Sequence, residues 1–192
     1  MSSTFVRCGS VAVLSLAVAL CACARKSPEQ PAAAAGAAGP SVLDLMLKEI
    51  DPPADFLWES VATISTEQGV EERHPRTDAE WLEVRNRAQQ IIAAAKLLQT
   101  GEVPVAHPGQ KLAEPGGEGD YTPEQAQAAI DADRATFIAY ARALEDTAGL
   151  MLAAIEKKSP DDMLEVGGAL DEACEQCHTR FWYPNAPKPP GL

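Results

Sequence analysis

Aromatic residues are scarce, at 5 % of the 192-residue chain, so a core built on stacked rings is not expected. Hydrophobic residues still reach 46 %, enough apolar mass for one core and too much for a disordered chain. Positive charge is also in short supply. Sixteen Lys+Arg stand against 28 Asp+Glu, which gives −12 at pH 7 and a pI near 4.6. A surface this acidic repels phosphate backbones, so nucleic acid is excluded as a partner class. No stretch alternates convincingly between apolar and polar residues, which points away from half-buried strands. The length fits one domain.

The first residues read as an address. Met1 to Ala24 carries one charge, Arg7, and an apolar run from Val11 to Ala22. That run is too short to cross a bilayer and has the size of a signal-peptide core. It ends in Leu20-Cys21-Ala22-Cys23, which resembles a bacterial lipobox with Cys23 as the lipidated residue. The alternative is an ordinary secretory signal cleaved after a small residue. Both export the chain, and Ala24 rather than Asp after the cysteine points by the same resemblance to the outer membrane. Residues 1–22 are thus expected to be a signal peptide. Residues 23–40, rich in Ala, Gly and Pro, are expected to be a flexible tether standing a domain off the membrane. The folded domain is expected over 41–184, with a disordered tail over 185–192. Loss of Arg7 takes the charge from −12 to −13, and only Cys174 and Cys177 remain as unmodified thiols.

Between these ends the apolar residues recur at helical spacing. Ser41 can cap a segment carrying Leu45, Met46 and Ile50; Asp51-Pro52-Pro53 must break or kink it and can restart it, to about Thr66. Thr77-x-x-Glu80 is a capping box that opens a second helix, closed by Gly101. A Gly/Pro-rich loop follows over 102–121, then a short helix from Thr122 to about Ile130. A third long helix runs from about Asp133 to Lys158, and a fourth from Ser159-Pro160 to the residues before Pro184. Four long amphipathic helices imply an all-α, up-down-up-down four-helix bundle.

The chemistry sits in Cys174-Glu175-Gln176-Cys177-His178, the C-x-x-C-H pattern of covalent haem attachment. Two thiols add to the haem vinyl groups as thioethers, and the adjacent His becomes an axial ligand. On a helix the three residues stand at i, i+3 and i+4 and face one way. With this composition, chance supplies about 0.002 such motifs per chain. Three other readings stand beside haem. A zinc site would need more ligands, with His74 and His107 as the remaining histidines. A thiol redox pair would want a helix N-terminus rather than the end of one. A disulfide is the third. Met163, Val166, Gly167, Leu170, Cys174, Cys177, His178 and Phe181 fall within an arc of about 120°, so the attachment residues lie on the core-facing stripe. Gly167 is either room for a cofactor or a helix-packing residue.

A haem motif near the end of the last of four helices resembles the cytochrome c-prime family, the class II c-type cytochromes. Ala173 to Pro184 (ACEQCHTRFWYP) and Ile50 to Trp58 (IDPPADFLW) look like a lipoprotein-bearing bacterial branch of it. The Pro-Pro kink and the long loop are departures. The resemblance implies one covalent haem c and either electron transfer with Met as sixth ligand or a five-coordinate iron that binds NO or CO. It also offers a homodimer as one option. Position selects Met46 as the candidate sixth ligand. It lies roughly 7 Å into the first helix, and His178 roughly 9 Å from the end of the last, so the two share a layer. The alternative reading of Met46 is a core residue filling a gap beside the ring. Met151 and Met163 lie at the wrong end, and Trp58 belongs to the core unless the kink folds it over the ring. Leu97, Leu98, Phe137 and Tyr140 are expected in the haem layer. Lys96, Arg134 and Arg180 are candidate propionate partners, and Phe181, Trp182 and Tyr183 are expected around the haem edge. No helix but the last carries a His, so a peroxidase-type enzyme is not expected. The redox partner should carry a basic patch, with association slowed by salt.

The exported chain is expected to begin at Cys23 and to carry lipid there. Intact-mass measurement of membrane-extracted protein checks this, since plain secretion leaves an unmodified N-terminal residue.

Overall fold

A computed structural model describes residues 39–110, 117 and 119–187. The signal segment, Cys23 and the tether up to residue 38 lie outside the described residues, as do 111–116, 118 and 188–192. The described residues are 68 % helical. In chain order they form α1 (Val42–Leu45), a π-helical turn (Met46–Ile50), α2 (Asp51–Ser60), β1 (Ala62–Thr66), β2 (Gly69–Arg73), α3 (Asp78–Gln99), α4 (Pro123–Ala132), α5 (Arg134–Glu156) and α6 (Pro160–Phe181). None of these helices is long and apolar enough to cross a membrane.

The helices start where short polar side chains can cap them. Ser41, Thr77 and Thr122 each accept from the backbone N–H three residues on, and the residue there closes the box: Asp44, Glu80 and Gln125. Ser159 caps α6 in the same way, without the return bond.

The Pro-Pro pair does more than kink the first helix. In an α-helix the N–H groups of residues 52 and 53 would bond the carbonyls of Lys48 and Glu49. Proline has no N–H, and its ring crowds the carbonyl four residues back. The preceding turn widens instead, and the Asp51 N–H bonds the Met46 carbonyl five residues back. The freed Lys48 carbonyl accepts from Gln90 Nε2 of α3 at 3.3 Å. The same amide donates to Glu49 Oε2 at 2.9 Å.

The helix expected to reach Thr66 stops at Ser60, and an antiparallel hairpin follows, with Ile64 opposite Glu71 and Ser65 opposite Val70. The reason lies in the β-branched residues Val61, Thr63, Ile64, Thr66 and Val70, and in Gly69, which takes the turn at φ +131. Every β2 residue is exposed and β1 half-buries only Ala62 and Ile64, so the hairpin offers the core no extended stripe.

Packing places the core between the long helices. α3 lies against α5, α5 against α6, and α2 against α3 with a lighter contact to α6. Leu57, Ile91, Met151, Met163 and Leu170 are fully buried there. Met151 and Met163 are therefore core residues. Trp58 packs on α6, its indole N–H donating to the Gly167 carbonyl at 3.0 Å. A Cβ at Gly167 would stand 3.3 Å from Trp58 Cδ1, so that glycine is a packing residue that receives an indole.

Leu57→Ala should cost about 2–5 kcal/mol by leaving a cavity. Gly167→Val should cost about 1–3 kcal/mol by overpacking Trp58. Urea unfolding followed by circular dichroism reads both.

Candidate functional site

The last two turns of α6 hold Cys174, Cys177 and His178 on one face, all half-buried. The stripe that buries Met163, Gly167 and Leu170 lower on the helix continues into them, so the helical period aims them inward. They open on two adjoining narrow hollows with cavity volumes of about 40 and 20 Å³. His178, Cys177, Met46 and Phe137 line both.

The inner hollow adds Cys174 and Ala173 from α6, Leu98 from α3, Tyr140 and Leu144 from α5, and Asp51 at its rim. The outer hollow adds Val42 and Leu43 from α1, Ile130 from α4, and Val105 and Ala106 from the loop after α3. The exposed surface inside both is almost wholly apolar. Phe181 is buried and meets Phe137 edge-on, with ring centroids 5.6 Å apart. Trp182 lines the outer hollow, and its carbonyl accepts from the Tyr121 N–H at 2.7 Å. Tyr183 donates from its hydroxyl to Glu175 Oε2 at 2.5 Å, and its ring centroid lies 5.9 Å from that of His178.

Met46 reaches the site because the π turn widens the helix. Residues five apart on such a turn share a face, and Met46, Ile50 and Asp51 all line the inner hollow. Leu98 and Tyr140 are walls as expected. Leu97 is not: it is 43 % exposed and turned away from both hollows, since one residue is a rotation of about 100°. The candidate propionate partners are each engaged elsewhere. Arg134 pairs with Asp131 at 2.7 Å, Arg180 with Asp133 at 3.0 Å, and Lys96 with Glu145 at 3.6 Å.

Burial sets the protonation of the site. It pushes the Cys174 thiol up to about 11, with help from Asp51, Asp171 and Glu175. It pushes Cys177 up to about 12, with Cys174 adding to the shift. Burial lowers His178 below the usual histidine range, against the opposing pull of Asp51 and Glu175. At neutral pH the site is two neutral thiols and a neutral imidazole. A neutral imidazole is the metal-binding form. Thiols this basic are poor redox nucleophiles. Among the described residues no three His, Cys, Asp or Glu side chains converge as a metal cage would need, so the four ligands of a structural zinc are not assembled there.

The donor set and its surroundings fit haem c. The two thiols and one imidazole sit on a single helix face, open on apolar space, with a thioether-bearing Met from another segment beside them. Sequence reasoning missed three features: Asp51 at the rim, the wall formed by Val105 and Ala106, and a polar cluster of Ser41, Asp44, His107 and Gln110 behind that wall. Ser41 was legible as a helix cap; nothing in the sequence tied it to Gln110.

The chain matches no family model, no curated protein sequence and no solved structure.

In the haem-free chain both thiols should alkylate on the order of a hundredfold more slowly than free cysteine at pH 8, and at the ordinary rate once urea unfolds the protein. Mass-resolved iodoacetamide labelling reads this.

Proposed function

We propose that the protein is an exported, lipid-anchored c-type cytochrome with one covalent haem, whose work is one-electron transfer. One observation carries this reading: Cys174, Cys177 and His178 share a helix face that opens on apolar hollows lined also by Met46. In this reading α1 with α2, α3, α5 and α6 are the four rods of an up-down-up-down bundle of the cytochrome c-prime type.

Haem c, when bound, supplies a one-electron couple at its iron. The chain does the rest. Cys174 and Cys177 would hold the haem as thioethers, each S–H adding across a vinyl double bond with no oxidant consumed. Both are half-buried in the folded site, so attachment would belong before or during folding, when the thiols are accessible. His178 would hold the iron through an imidazole nitrogen, and Met46 would hold it through its thioether sulfur. Leu98, Phe137, Tyr140 and Leu144 exclude water from the ring, and a low-dielectric surround raises the potential together with His/Met ligation. The acidic surface, with Asp51, Asp171 and Glu175 near the attachment end, suits a redox partner with a basic patch. In this reading the protein is a carrier, not an enzyme.

Visible spectra of the matured protein, ferric and ferrous, with and without CO, test this. The expected ferrous spectrum is low-spin and unmoved by CO, and Met46→Ala makes it high-spin and CO-reactive. A wild-type spectrum that shifts with CO removes Met46 as a ligand and turns the reading to a gas-binding haem. Absence of haem bands in a haem-attaching host overturns the cytochrome reading.

A further inference from the structure

The loop after α3 is stitched to the start of α1 over the site. The Val42 N–H donates to the Pro104 carbonyl at 2.8 Å, and the Leu43 N–H to the Val105 carbonyl at 3.0 Å. On its other side the Val105 N–H donates to Gln127 Oε1 of α4 at 2.8 Å. Val105 is buried and, with Ala106, walls the outer hollow.

A polar knot holds this strap in place. The fully buried Ser41 has its Oγ 2.8 Å from Asp44 Oδ2 and 3.0 Å from Gln110 Oε1. Gln110 donates from Nε2 to Asp44 Oδ1 at 3.1 Å, while its Oε1 accepts from the His107 backbone N–H at 2.9 Å. His107 Nε2 stands 3.3 Å from Asp44 Oδ2, and Lys48 Nζ 2.8 Å from Asp44 Oδ1. Asp44 touches every other member, and Gln110 is the one that joins the Ser41–Asp44 pair to the strap by side chain and backbone together. Its amide alone offers a donor to the carboxylate and an acceptor to the hydroxyl and the N–H at once.

What the knot holds is the chain just before Met46. α1 is a single turn of four residues. It opens a helix that runs without a break through the π turn into α2, and such a first turn is held only where its orphan N–H groups find partners. Its first two amides bond the strap, and its cap bonds Gln110. Met46 follows directly, lining the same hollow as Cys177 and His178.

We propose that Gln110 is a positioning residue for the site: by clamping Ser41 and Asp44 to the 103–110 strap it holds α1, and with it Met46, against the attachment residues, and keeps the outer hollow shut. This inference rests on the reading of the site as a haem pocket with Met46 on its distal side. Gln110→Ala removes the clamp. Gln110→Glu keeps the size but loses the donor and sets a like charge beside Asp44.

The test compares both variants, as matured holoprotein, with wild type and with Thr77→Ala, which removes a cap at the opposite end of α3. Hydrogen exchange at the Val42 and Leu43 amides should quicken about tenfold in both Gln110 variants, equivalent to about 1.4 kcal/mol of opening. The haem should become partly high-spin and bind CO. If wild type already binds CO, its association should quicken about tenfold. Thr77→Ala should lower stability and move neither readout. Unchanged exchange overturns the clamp. Faster exchange with wild-type haem bands and wild-type CO behaviour overturns the positioning of Met46. Wild-type protein that lacks haem bands overturns the reading of the site itself, a result separate from any variant.

Discussion

The missing amide hydrogens of Pro52 and Pro53 shape the protein around its candidate site. Without them the helix that begins at Val42 cannot continue as an α-helix, and the strain is released backwards into a π turn. That turn brings Met46, Ile50 and Asp51 onto one face and turns them toward α6. It also frees a carbonyl, which α3 recovers through Gln90. Had residues 52 and 53 been ordinary helix formers, Met46 and Asp51 would stand well apart around the helix. π turns recur at functional sites for this reason: one extra residue in a turn re-aims side chains that a regular helix would separate.

The second determinant is the burial of the attachment residues. Raised thiols and a lowered imidazole have the same cause, removal of water from groups that would otherwise charge. Burial thus argues against the thiol-redox alternative and for a ligand role of His178 at once. It also gives the order of events in the proposed maturation, since thiols that are neutral and half-covered in the folded domain are best modified before it closes.

The helical parts of the fold were readable because each carries its own punctuation. Thr77-x-x-Glu80, Thr122-Pro123 with Gln125, and Ser159-Pro160 placed three helix starts to within a residue. The hairpin was not readable. Only Ala62 and Ile64 of the ribbon are half-buried and the whole second strand is exposed, so the alternation is too short to stand out. Of the site, Cys174, Cys177 and His178 were visible through their spacing, and Met46 through a count of turns along two helices. Leu97 was misplaced because a layer argument counts height along a helix and ignores angle. The strap was read only as part of a Gly/Pro-rich loop, since its order comes from carbonyls bonded to α1 and from Gln110, contacts that leave no local pattern.

The amino-acid sequence by itself determined the starts of α3, α4 and α6, the inward stripe of α6 and the chemistry-bearing triplet on it. These depend on neighbours within four residues, and a short window of chain contains all of them. Tertiary structure alone decided which residues close the site. Asp51 reaches its rim through a turn whose geometry depends on two prolines and on a glutamine from α3. Val105 and Ala106 reach it because Ser41 and Asp44 bond Gln110, more than sixty residues further along the chain. A buried hydroxyl must find its partner wherever the fold provides one, and no local pattern in the chain says where that is.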